Sequence, residues 1–126
     1  MKKVLFVCTC LIVLIGCSKS KEYTSDLTGQ WYIYKITRNS IDANHLVSDS
    51  FQNYTLTFTG DGKYVEDNLS GVDTVRNVGT WSFQNNYGQL ALTDTTETRT
   101  YTLFNLTANH MELLRNTENR YFRKFQ

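Results

Sequence analysis

No proline occurs in the 126 residues, histidine occurs only twice, and neither sign of charge dominates. Each shortage excludes something. His45 and His110 stand far apart, without H-x-x-x-H or H-x-H spacing, so two solvated histidines are a simpler reading than a metal site. No G-x-S-x-G, no Ser-x-x-Lys and no phosphate-cradling glycine loop is present. The acids Asp61, Glu66-Asp67, Asp94 and Glu97 sit at turns, where charge is normally solvated. No acid, base and nucleophile set can be assembled, so the sequence does not read as an enzyme, and it implies no cofactor and no metal. No basic stripe or polybasic block appears, which argues against nucleic acid as a partner.

Cysteine is scarce too, and its placement is informative. Cys8 and Cys10 lie inside an apolar run from Val4 to Ile15 that follows Met1-Lys2-Lys3. That run is too short for a bilayer span of about 20 residues, and its basic flank reads as a secretory leader. It ends Leu14-Ile15-Gly16-Cys17, which resembles a bacterial lipobox: branched residue, tolerant position, small residue, Cys. The resemblance implies that residues 1–16 are a signal peptide, removed before Cys17, and that Cys17 carries acyl chains such as palmitate. Each buried CH2 adds about 0.8 kcal/mol, so several chains anchor firmly. Cys17 would then be the sole mature cysteine, leaving no disulfide framework, thiolate metal site or Cys nucleophile. Loss of Lys2 and Lys3 leaves 11 basic against 12 acidic residues, a formal charge of −1. "SKSKEYTSD" is polar and lacks aliphatics, so residues 17–26 read as lipidated Cys plus a tether reaching at most about 30 Å.

From Leu27 the hydrophobic pattern has period two. Tyr54, Leu56 and Phe58 alternate with threonines, and Asp61-Gly62 offers a tight reversal before Tyr64. Val75, Gly79, Trp81 and Phe83 share one parity; Leu90 and Leu92, Tyr101 and Leu103, Met111 and Leu113, then Tyr121, Arg123 and Phe125 continue it. Strands begin near Gln30, Tyr54, Lys63, Thr74, Gln89, Arg99, His110 and Arg120, and no helix-length periodic stretch intervenes. Sequential strands with tight turns are antiparallel neighbours, and closing eight of them removes both edges. An all-β fold follows, a single eight-stranded up-and-down barrel over residues 27–126, with a two-sheet sandwich as the alternative. Its expected interior includes Tyr54, Leu56, Phe58, Trp81, Phe83, Leu103 and Leu113.

In that setting Gly29-x-Trp31 at the start of the first strand resembles the lipocalin signature. With the lipobox, "LTFTGDGKY" and "GTWSF", the chain resembles the small lipocalin-like lipoproteins of Gram-negative bacteria. The resemblance implies that Trp31 closes one end of the barrel under a basic residue of the last strand. Arg123 or Arg120 can supply it, and Arg123 is preferred for its parity with Tyr121 and Phe125. It also implies a monomer held at the outer membrane by its lipid. The chain is shorter than a typical lipocalin, lacks the usual disulfide and has no clear helix after the barrel, which weighs against a deep cavity.

One connection is too long for a hairpin. Residues 39–53, "NSIDANHLVSDSFQN", carry Ile41, Leu46, Val47 and Phe51 and read either as a lid over a pocket or as a plug of the core, with a helical turn near Asp42 to His45. Trp31, Tyr54, Phe58, Tyr64, Trp81, Phe83 and Tyr101 can grip an apolar ligand or fill the barrel outright. Two function classes stand: a binder of a small apolar ligand at the barrel mouth, or a filled-core envelope module that meets a protein or glycan through its loops.

Overall fold

The computed structural model describes residues 19–69 and 74–126. The expected leader, residues 1–16, and Cys17 lie outside the described residues. Residues 19–27 form a helix, α1, which corrects the expected tether. Nothing in the segment breaks a helix, and Tyr23 and Leu27, four apart, share a face. Tyr23 stacks on Tyr87 with ring centroids 4.5 Å apart and meets Phe83 edge-on, while Leu27 is fully buried. Two apolar residues in nine make a weak periodic signal, but they dock the helix.

Nine strands follow: β1 (Gly29–Arg38), β2 (Ile41–Asp42), β3 (Tyr54–Phe58), β4 (Lys63–Asn68), β5 (Val75–Gln84), β6 (Gln89–Thr93), β7 (Thr98–Phe104), β8 (His110–Arg115) and β9 (Glu118–Lys124). A short helix, α2 (His45–Ser50), sits between β2 and β3. Every pairing is antiparallel between neighbours, and β1 pairs β9 from Trp31↔Lys124 to Arg38↔Glu118. The sheet therefore closes into an eight-stranded barrel of β1 and β3 to β9, and β2 is a two-residue flap on the end of β1. The starts of the eight barrel strands fall within two residues of those expected.

Strand β1 shifts register between Ile33 and Lys35. Trp31 and Ile33 face inward below the shift, Ile36 above it. One extra residue flips the parity of everything beyond it. On β5 the inward set is Asn77, Gly79, Trp81 and Phe83, whereas Val75, expected to share it, is exposed. Gly79 is required there: a Cβ would stand 1.9 Å from the Thr93 carbonyl oxygen and 3.0 Å from the Tyr64 ring.

The interior is packed with large side chains. Trp31, Phe58, Tyr64, Leu90, Met111 and Phe122 are at most 1% exposed. Tyr54, Leu56, Leu103 and Leu113 are buried as expected, while Trp81 and Phe83 are half-buried against the core. The barrel is filled.

Candidate functional site

The barrel has two unlike ends. At the first, β1 starts and β9 finishes. The Trp31 indole is wholly buried and its Nε1 donates to the Leu27 carbonyl at 2.8 Å. A basic residue of β9 does cover it, but the residue is Lys124, not Arg123. The Lys124 Nζ lies 4.9 Å from the ring centroid and donates to the Asp26 carbonyl at 2.6 Å. Gly29 has φ +135°, and a Cβ there would press on the Lys124 stem at 3.0 Å. Burial pushes the Lys124 ammonium below the usual lysine range, with Asp26 opposing. Arg123 is exposed on the outer face, its guanidinium 4.2 Å over the Tyr34 ring. The expectation failed because "RYFRKF" has aromatics on both parities. Phe122, paired with Met111 and Ile33, fixes the inward set as Arg120, Phe122 and Lys124. Two of those three are charged, so alternation of hydrophobicity pointed the wrong way.

The second end is the mouth, where β1 finishes and β9 starts. The 39–53 segment folds over part of it. Asn44 accepts from the Ile36 N–H through Oδ1 at 3.0 Å, Ala43 N–H donates to the Ile36 carbonyl, and Asn68 Nδ2 donates to the Ser50 carbonyl. The helical turn lies at His45–Ser50, later than expected, because Asp42 accepts from the Asn44 N–H in a turn of its own. Leu46, Val47 and Phe51 are half-buried and pack on the core. Ile41 is 70% exposed and cannot belong to the apolar underside, because pairing with Arg38 in the flap directs it outward.

Beneath this cover lies a buried polar cluster that turn position alone did not foretell. Glu66 stands inside β4, not solvated at a turn. Arg99 grips it with both Nη groups, Nη2 to Oε1 at 3.0 Å and Nη1 to Oε2 at 3.3 Å. Tyr54 donates to Oε2 at 2.5 Å and Asn77 Nδ2 to Oε1 at 2.9 Å. Arg99 Nη1 also donates to the Tyr101 hydroxyl at 3.2 Å. Burial alone would raise the Glu66 carboxyl, but the hydrogen bonds from Arg99, Tyr54 and Asn77 and the Arg99 charge hold it below the usual range. Burial and the Glu66 charge push the Tyr54 hydroxyl well up. Inward alternation on β4, β5 and β7 was the signal: Tyr64 and Glu66, Asn77 and Gly79, Arg99 and Tyr101 share faces with core residues.

Above that cluster the mouth opens into a cavity of about 320 Å³, lined by Arg38, Arg99, Tyr101, Arg115, Asn116, Thr117, Glu118 and Arg120. Glu118 accepts from Arg38 Nε at 2.8 Å and Arg120 Nε at 2.6 Å. Burial raises the Glu118 carboxyl, but Arg120 and then Arg38 bring it below the usual range. The Arg120 guanidinium also lies 4.8 Å over Phe51, whose ring meets Tyr54 edge-on. Of the residues expected to line a pocket, Tyr101 reaches this cavity. Phe58 and Tyr64 are sealed in the core, Tyr54 is committed to Glu66, and Trp81 donates to the Thr59 carbonyl at the closed end. Among the described residues no three His, Cys, Asp or Glu side chains gather into a metal-sized group.

Solved structures share this architecture. A lipocalin-like protein from Bacteroides uniformis ATCC 8492 superposes with a TM-score of 0.61 at 15% identity, over 79% of this chain and 99% of that one. An uncharacterized protein from Bacteroides eggerthii DSM 20697 does so with a TM-score of 0.59 at 11% identity, again over 79% and 99%. At such identity the likeness is one of fold. No curated protein matches the sequence. The sequence itself matches the lipocalin-like domain model over residues 27–113, from the last residue of α1 into β8, so the closed barrel belongs to a chain of the lipocalin-like domain family.

Proposed function

We propose that this chain is a lipid-anchored binding protein of the bacterial envelope, held at the outer membrane through Cys17, which takes a small ligand at the barrel mouth. One observation carries the reading: among the described residues the barrel is filled below Tyr101, and above it lies a cavity with a mostly polar lining. A ligand enclosed deep among the aromatics has no room, so binding takes place at the rim. The orientation supports the same reading. Lys19 of α1 stands two residues after Cys17, and the helix docks on the closed end through Tyr23, Asp26 and Leu27, which points the mouth away from the anchor. The family consists mainly of binding proteins without enzymatic activity, which fits a site where every buried acid already has its donors. Native mass spectrometry of protein purified from its own host membranes tests this. A stoichiometric small molecule that disappears when Thr117→Trp blocks the rim is the expected result. A clean protein mass, with no saturable binding to any probe, would refute it. The Cys17→Ser protein should leave the membrane fraction, and quantitative retention there would rule out the anchor.

The filled core also supports a second reading, an interaction module. Its observation is an aromatic outer face on β1 and β9: Tyr32 lies 4.8 Å from Phe125, which is 50% exposed, and Tyr34 sits under Arg123. Such a face suits a protein or glycan partner.

A further inference from the structure

We infer that the mouth is an anion site, built to take the carboxylate or phosphate head of a small ligand. This deepens the mouth reading above and rests on it. The argument begins with parity. Arg38, Arg99, Arg115 and Arg120 come from four strands, and all four line the same cavity. Guanidinium groups placed toward a barrel interior need acceptors. The acceptors present are fewer than the donors. Among the described residues the cavity wall has one carboxylate, Glu118, against four guanidiniums.

The donor inventory sharpens this. Arg38 and Arg120 both hold Glu118 through Nε, and neither side chain makes another hydrogen bond among the described residues. Their paired Nη groups, the part of arginine that matches a carboxylate or phosphate edge, are left for the cavity. Arg115 has no ion pair among the described residues. Among the described residues the nearby acids are already engaged. Glu66 lies under the floor with three donors of its own. Glu97 stands 3.7 Å from Arg99 Nε and is half-exposed, and Asp94 accepts from Thr96 and Glu97 in its own turn. Glu118 thus acts as a clamp that sets two forks side by side, and Phe51 beneath Arg120 keeps one of them in place. The Tyr101 hydroxyl and the side chains of Asn116 and Thr117 complete a polar wall. A cavity of about 320 Å³ is at the small end of ligand pockets, which suits a head group or a small acid.

The test titrates the full mature chain, in a neutral detergent, with octanoate, octyl phosphate and octanol. The two anions are expected to bind saturably and to weaken with salt, and octanol is expected to bind at least about tenfold more weakly. Arg120→Gln and Arg115→Gln should each reduce anion affinity, about tenfold for Arg120 and less for Arg115. Arg115 is exposed and outside the ion-pair clamp, so its variant remains informative if Arg120→Gln fails to fold. Arg76→Gln, on the outer face of β5, should change nothing. Octanol binding as tightly as octanoate, with both arginine variants unaffected and Thr117→Trp still blocking, would overturn the anion site and leave a mouth site for a neutral ligand. Absence of saturable binding by either anion also overturns it.

Discussion

The two ends of the barrel are built on one alternation and filled with opposite chemistry. At the closed end the inward positions hold Trp31, Phe58, Trp81 and Phe83, roofed by Tyr23 and Leu27 of α1. At the mouth the same parity delivers Glu66, Asn77, Arg99, Arg115, Glu118 and Arg120. The closed end places its few polar atoms against backbone carbonyls: Trp31 to Leu27, Trp81 to Thr59, Lys124 to Asp26. The mouth pairs charge with charge and leaves guanidinium donors over. One end is finished by its own residues. The other keeps surplus donors at its rim, and the mouth site proposed above rests on that contrast.

The largest break of the contrast is expected at the closed end. Trp31→Ala removes a fully buried indole, its hydrogen bond and the surface under Lys124, and should cost about 3–5 kcal/mol in chemical denaturation. Arg99→Met should come next, at about 3 kcal/mol, because it strands the Glu66 carboxylate inside the barrel. The two losses differ in kind. A second change, Glu66→Leu, should restore much of the stability lost by Arg99→Met, since a buried pair replaced whole is often nearly neutral. No partner substitution should repair Trp31→Ala. Failure of the double mutant to recover would mean that the mouth cluster is packing, not paired charge.

The comparison also explains what the sequence disclosed. Strand starts and barrel closure were legible because Tyr54, Leu56 and Phe58 alternate with threonines, Leu90 and Leu92, Tyr101 and Leu103, and Met111 and Leu113 each share a parity, and Asp61-Gly62 and similar turns punctuate them. The closed end was half legible: Gly29 and Trp31 announced it, but its cation did not, because Lys124 reaches inward by its stem from a strand whose inward set is mostly charged. The mouth was scarcely legible. Glu66 and Arg99 are 33 residues apart and meet only when β4 and β7 face each other across the barrel. A charged residue on an inward parity looks like the end of a strand until its partner is known. α2 was placed too early for a related reason, since Asp42 and Asn44 are capping residues whose side chains serve β1 and the turn instead.

Acid should separate the ends further, by an amount smaller than either substitution. Glu66 and Glu118 have folded-state pKa values below the unfolded carboxyl, which titrates near about 4.3. Their contribution is therefore complete above that pH and is lost as pH falls through the folded values. Tyr54 runs the other way. Its raised value favours the neutral hydroxyl, so stability is present below about pH 10 and declines above it. The mouth thus carries buried groups whose contribution is lost on both sides of neutrality. Denaturation of the wild type and of the Glu66→Leu, Arg99→Met double mutant at pH 7 and pH 3 should show a steeper fall for the wild type. Parallel falls would place the acid sensitivity elsewhere.

The smallest expected effect decides which residue covers Trp31. A lysine ammonium over an indole is worth about 0.5–1 kcal/mol at a partly exposed site. Lys124 also holds α1 to the barrel through Asp26, so its single mutant mixes two losses. A double-mutant cycle removes that ambiguity, because the Asp26 contact cancels between the wild-type and Trp31→Phe backgrounds provided α1 stays docked. Lys124→Met with Trp31→Phe, which keeps a ring in place, should give a coupling within that range, reduced by salt. Arg123→Met with Trp31→Phe should give none, since Arg123 lies on the outer face over Tyr34. Coupling to Arg123 in place of Lys124 would mean that β9 enters the barrel one residue out of the register seen here. That slip would also put Tyr121 in the place of Phe122 and Asn119 in the place of Arg120 at the rim, so this small number tests both ends of the molecule together.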